Sequence, residues 1–328
     1  MKKILICLLS LTVIFFVILF TVFKKEKDNN GLEKVKLAEV THSIFYTPLY
    51  VAIENGYFKE EGIDLELILT SGADKVSAAV LSNDVNIGFA GPESAIYVYN
   101  NGEEDYLITF AGLTKRDGQF IVAREKDDSF SMEKLYDKEI LVGRKGGMPM
   151  LNFTNGVYNQ NANLDRINMN TAIDFAALTG TFISGVGDYV NLFEPNATKL
   201  EQQGLGYVVA SVGNYSGEMP YTAFYARKSY IDKNQDIVKA FNRAINKGIK
   251  FVEDNTDEKV AEVIYKQFAD LSLNDITAIV KRYRDADSWL SNTTITQETY
   301  KNLEDIMIKN SLLDEYVDFN TLVVNLNE

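Results

Sequence analysis

The stretch YTPLYVAIENGYFKEEGIDLEL, residues 46–67, decides the architecture. Pro48 stands where a helix can begin, and Gly56 follows the apolar run as a stop. Beyond the charged turn, Ile63, Leu65, Leu67 and Leu69 alternate with other residues at the period of a strand. The spacing predicts a helix over 48–55 and a strand over 63–69. Working outward, 36–41 reads as a preceding strand. A helix over 73–81, a strand over 85–90 and a helix over 93–100 follow. This β-α-β-α-β order opens a mostly parallel sheet.

A second unit repeats the alternation. Strands are expected at 120–123, 140–143, 189–193 and 207–211, and helices at 148–160, 176–183 and 197–203. A strand at 223–226 comes before a change of character. From Ser229 onward the pattern is helical, with Ile237, Phe241, Ala244, Gly248 and Val252 on one face. Further amphipathic stretches run over 258–268, 273–283 and 296–310.

Composition narrows the function. The 328 residues carry 33 Lys and Arg against 46 Asp and Glu, a net charge of −13. The first 30 residues hold five Lys, one Glu and one Asp, net +3, so the rest carries −16. Such a body repels phosphate backbones, which argues against a nucleic-acid partner. The single His (His42) cannot build a multi-histidine metal site, and the single Cys (Cys7) lies in the N-terminal apolar run. No metal or cofactor is expected. No P-loop, dinucleotide glycine fingerprint or zinc-protease motif occurs.

Residues 4–23 are uncharged and mostly Ile, Leu, Val and Phe. As a helix they would span roughly 30 Å, a bilayer core. Lysines flank both ends, no small-residue cleavage site follows, and Cys7 sits too early for a lipoprotein pattern. The expectation is an uncleaved membrane anchor, with a cleaved signal sequence as the alternative, and residues 1–33 as anchor (or signal sequence) and linker.

The run 46–67 resembles the first helix and second strand of solute-binding proteins from ABC importers of the nitrate/sulfonate/taurine and thiamine-pyrimidine-precursor group. SGADKVSAAVLSNDVNIGFAG (71–91), GVGDYVNLFEP (185–195) and AFYARKSYIDKNQDIVKAFNRA (223–244) resemble further landmarks of that group. The resemblance implies a type II periplasmic-binding-protein fold: two α/β lobes, a hinge, and a ligand cleft between them. The first lobe would comprise 34–118 and 222–328, and the second 119–221, with crossings near 117–119 and 220–222. It also implies a small-molecule ligand, a permease with its ATPase as partners, and an extracytoplasmic body; the apolar run 4–23 would replace the family's usual lipoprotein Cys as the anchor to the cell membrane. Eukaryotic thiamine-pyrimidine synthases share the fold but carry a cysteine-rich motif and a His where this chain has Phe45 or Tyr46. No catalytic residue is therefore expected.

In open α/β sheets ligands sit at the carboxyl ends of strands. The candidate ligand residues follow: His42, Ser43, Phe45 and Tyr46; Ser71 and Gly72; Gly91, Pro92 and Glu93; Arg144, Gly146, Gly147 and Met148; Glu194; and Tyr221. One of the adjacent aromatics Phe45 and Tyr46 is expected to face the cleft. Each carboxylate has a plainer reading as a helix-start residue favoured by the dipole, and His42 reads equally as a hydrogen-bonded structural residue. If Glu93 and Glu194 face one another across the cleft, they suit a donor-rich heterocycle such as an aminopyrimidine. Arg144 pulls toward an anion, such as a sulfonate, taurine or nitrate.

Overall fold

A computed structural model describes residues 31–326. The expected span at 4–23, with Cys7, lies outside them. Among the described residues no helix is long and apolar enough to cross a membrane.

Two five-stranded sheets form the frame. The first runs in the order β2-β1-β3-β10-β4, from β1 (Glu33–Glu39), β2 (Ile63–Leu69), β3 (Ile87–Ala90), β4 (Leu107–Thr114) and β10 (Thr222–Arg227). The second runs β7-β6-β8-β5-β9, from β5 (Phe120–Ala123), β6 (Glu139–Leu141), β7 (Asn168–Asn170), β8 (Tyr189–Leu192) and β9 (Tyr207–Ser211). β1, β2 and β3 are parallel, while β10 runs antiparallel between β3 and β4. The second sheet copies this plan, with β5 antiparallel to β8 and β9. Each sheet with its helices makes one lobe, the arrangement the resemblance implies.

The chain leaves the first sheet after Thr114 and returns at Thr222. The two crossing segments pair with each other: Met219 N–H donates to Lys115 O and Tyr221 N–H to Thr114 O, both at 3.0 Å.

Several elements depart from the sequence reading. β1 starts earlier and ends at Glu39, which frees Val40 and Thr41 for the loop above it. β4 was not expected. Its sequence LITFAGLT is broken by Thr and Gly, yet it is buried along almost its whole length. Isolated bridges from Trp289 and Val323 cover its outer side. β7, only three residues, and a short helix at Val212–Ser216 were not expected either. Leu69 is 57% exposed because β2 is an edge strand.

The long helix Gln235–Asp254 buries Val238, Phe241, Ile245, Ile249 and Val252 against the first lobe. A Cβ at Gly248 would stand 2.2 Å from Pro48 O, so only glycine lets this helix meet the helix Thr47–Glu54 so closely. The helix Leu273–Asp285 bridges to the second lobe, where Arg282 meets Glu194 and Glu201. The helix Gln297–Lys309 does so on another side, with Lys309 Nζ 3.5 Å from the Tyr158 ring centre.

Candidate functional site

The carboxyl ends of β1, β2, β3, β6, β7 and β8 converge on a cavity of about 220 Å³ between the lobes. That is below the roughly 300–1,000 Å³ of drug-sized sites, so it suits a small ligand. The first lobe contributes Val40, Thr41 and Tyr46, then Ser71, Gly72, Ala73, Asp74 and Lys75, then Gly91 and Glu93. The second contributes Gly143, Arg144, Gly147, Met148 and Pro149, then Asp174, Phe175 and Ala176, then Phe193. Tyr221 and Thr222 close it from the second crossing.

Nine expected residues thus line one cavity: Tyr46, Ser71, Gly72, Gly91, Glu93, Arg144, Gly147, Met148 and Tyr221. Six others lie elsewhere, for physical reasons. Phe45 is fully buried in an aromatic cluster, with ring centres 5.3 Å from Phe193, 5.8 Å from Tyr221 and 5.1 Å from Tyr283. Of the adjacent aromatics, Tyr46 is the one at the cavity. The Ser43 hydroxyl donates to Glu194 O at 2.6 Å, tying the lobes together. Gly146 O accepts from the Tyr97 hydroxyl at 2.8 Å, a second tie. Pro92 caps the helix Glu93–Asn100.

His42 is bolted into the first lobe. Its Nδ1 lies 2.8 Å from Glu39 Oε1, its Nε2 donates to Gln267 O at 2.9 Å, and its ring stacks on Phe268. Burial lowers its pKa, but the hydrogen bonds to Glu39 and Gln267 outweigh that and raise it overall. Glu194, followed by a cis Pro195, does not face Glu93 across the cavity. Its carboxylate folds back to accept Thr198 N–H at 2.9 Å and pairs with Arg282. Burial raises its pKa, with Arg282 opposing.

Glu93 dominates the electrostatics of the cavity. It is 1% exposed, and among the described residues its Oε2 has no hydrogen-bond partner. Burial pushes its carboxyl up to about 7, against the pull of Arg144 and the N–H groups of Glu93, Met148 and Ser94. Those N–H groups belong to the starts of two helices, Glu93–Asn100 and Met148–Asn159, one from each lobe. A Cβ on Gly91 would fall 2.0 Å from Glu93 Oε2, so glycine makes room for the carboxylate here. Arg144 Nε lies 3.7 Å from Asp74 Oδ1, an ion pair joining the lobes at the cavity.

Asp74, Phe175 and Phe193 are lining residues that sequence reasoning missed. Phe175 follows β7, a three-residue strand with no apolar alternation to mark it. Phe193 ends the apolar run 189–193, but the strand itself stops at Leu192. Asp74 had a readable signal, an acidic residue in the first turn of a helix. Among the described residues no group of three or more His, Cys, Asp or Glu is placed to hold a metal ion.

The sequence profile described as "NMT1/THI5 like" matches residues 44–259. The chain is 40% identical over 299 residues to "Putative binding protein YtlA" of Bacillus subtilis, covering 90% of this chain and 89% of that one. It is 23% identical over 253 residues to "Formylaminopyrimidine-binding protein" of Halalkalibacterium halodurans, covering 73% and 72%. Among solved structures, the alkanesulfonate-binding protein SsuA from Xanthomonas axonopodis pv. citri, bound to MOPS, superposes with a TM-score of 0.70. Identity there is 14%, and 89% of this chain and 98% of that one are covered. The likeness in fold is to the periplasmic binding proteins.

Proposed function

The chain belongs to the NMT1/THI5-like family, and from that membership we propose that it is the solute-binding component of an ABC importer whose ligand is a small, flat, nitrogen-bearing heterocycle of the aminopyrimidine type. The lobes would close on the ligand and present it to a permease driven by its ATPase. Residues 4–23 would anchor the body on the extracytoplasmic side of the cell membrane.

Glu93 carries the reading of the ligand. Helix N-termini are natural seats for oxyanions. Here two of them converge, and the protein's own carboxylate stands between them. An anionic ligand would have to displace or neutralise that group. A ligand with N–H donors instead supplies the partner that Glu93 Oε2 lacks, and a buried polar group without a partner is costly. Tyr46, Phe175, Phe193 and Tyr221 offer aromatic walls to a planar ring. The relative named for a formylaminopyrimidine supports the same class.

A second reading, a sulfonate, taurine or nitrate ligand, rests on Arg144 at the cavity. Asp74 already engages that guanidinium, which weakens the case. An enzyme of thiamine-pyrimidine synthesis on the same fold is a further alternative. It would need a nucleophile or an acid–base pair at the ligand; of the acid–base candidates, Glu93 lines the cavity, while His42 and Glu194 stand outside it.

Thermal unfolding of the full chain with a panel of ligands tests the reading. A ligand at about 100 times its Kd stabilises a protein by about 2.7 kcal/mol. Aminopyrimidines and their N-formyl derivatives should do so, and Glu93→Gln should weaken the effect. Stabilisation by alkanesulfonates or nitrate alone would refute it. Protease added to intact cells should cut the body, and protection would refute its outward placement.

A further inference from the structure

Asp117 lies in the first crossing segment and Tyr221 in the second. Both are buried, at 1% and 3% exposure. Asp117 Oδ1 accepts Gln119 N–H at 2.7 Å. Among the described residues, neither its Oδ2 nor the Tyr221 hydroxyl has a hydrogen-bond partner. They nonetheless bear on one another: Tyr221 is the side chain acting on the Asp117 carboxyl, and Asp117 is the foremost charge acting on the Tyr221 hydroxyl.

Among the described residues no cation pairs with the carboxyl. The adjacent cations turn away, Lys115 to Asp287 and Arg116 to Glu218. Gly118 presses on the Phe45 ring, where a Cβ would come within 2.4 Å. From the helix Val212–Ser216, Gly213 approaches so closely that a Cβ would stand 2.3 Å from Asp117 O. The other titratable groups acting on Tyr221 are Tyr46 and Glu93, and neither is a cation.

We propose that Asp117 is a positioning residue for ligand capture, its carboxyl in the first crossing segment holding the Tyr221 side chain in the second against the cavity. The proposal rests on that cavity being the ligand site. Burial holds the Asp117 carboxyl well above the usual carboxylate range, which favours its neutral form. With Oδ1 occupied by Gln119 N–H, Oδ2 is the oxygen left to accept from the Tyr221 hydroxyl. A small rotation then converts two orphaned groups into one hydrogen bond that spans both crossings. Tyr221 is fixed from behind while its ring lines the cavity.

Carboxyl-labelled aspartate in the full chain, read by NMR, tests the pair without any ligand. One aspartate carboxyl should titrate far above the others and vanish in Asp117→Asn. In Tyr221→Phe it should titrate higher still, because the hydroxyl lowers it. A titration in the ordinary aspartate range, or one unmoved by Tyr221→Phe, overturns the proposal. With 4-amino-5-hydroxymethyl-2-methylpyrimidine as probe, Asp117→Ala should lose about tenfold in affinity, the scale of one hydrogen bond, and Asp117→Asn should recover most of it. Equal losses in both variants overturn the positioning role. If wild-type protein ignores the probe, the ligand reading fails, while the titration still decides the pair. If Asp117→Ala does not fold, the Tyr221→Phe titration is decisive by itself.

Discussion

Glu194 and Arg282, 88 residues apart in sequence, form an ion pair in which the carboxylate is completely buried. The pair joins the end of β8 to the helix Leu273–Asp285, and Arg282 also reaches Glu201 at 3.2 Å. Removing the cation would strand a buried charge. Arg282→Ala should cost about 2 kcal/mol, less than a wholly buried pair because the guanidinium is a third open to water. The loss should shrink as pH falls below the carboxylate range, where Glu194 is neutral in both states. Chemical denaturation at pH 4 and pH 7 reads this directly, and an equal loss at both would contradict it.

Glu93 has a folded-state pKa of about 7 against an ordinary 4.5. The native state therefore binds the proton more tightly than the unfolded chain. Stability from this group is intact below the unfolded value, declines as pH rises toward 7, and is lost above it. The scale is of the order of 3 kcal/mol. Glu93→Gln should match wild type near pH 5 and exceed it at pH 8 in thermal unfolding. A constant difference across that range would count against the assignment.

His42 links Glu39 to the carbonyl of Gln267. Its pKa is raised on folding, so its contribution is full below the unfolded value of 6.5 and fades as pH rises through the folded one. His42→Gln should destabilise by about 1–2 kcal/mol at pH 6 and by less at pH 8.5. Affinity for the cavity ligand should move by less than threefold. Loss of binding in a stably folded His42→Gln protein would place the ligand elsewhere.

The Asp74–Arg144 pair is half exposed on both sides. Such pairs are worth about 0–1 kcal/mol and are screened by salt. Arg144→Gln should weaken aminopyrimidine binding by about fivefold or less, an effect that disappears in high salt. A loss of a hundredfold or more would mean that Arg144 holds an anionic ligand.

Local signals made much of the fold readable. The helix Glu93–Asn100 and the strand Ile63–Leu69 have the bounds that the apolar spacing predicts. The segments 117–119 and 220–222 lie between strands of different sheets. What escaped was non-local. His42 finds its carbonyl 225 residues away, and no local pattern announces that. Glu194 read as a cavity residue because Arg282 could not be seen approaching it. β4 escaped because a strand buried on both sides shows no alternation.

The place of β10, between β3 and β4 in the first sheet, sets an order of assembly. Strands of the second sheet lie within one continuous stretch, Phe120 to Ser211, and their pairings can form as soon as that stretch is available. The first sheet begins earlier in the chain but has a vacancy at its middle. Until Thr222–Arg227 arrives, β4 has no strand to join it to β3. A chain emerging from its N-terminus therefore completes its later lobe first. The earlier lobe stays open-edged until the chain has come back through both crossings.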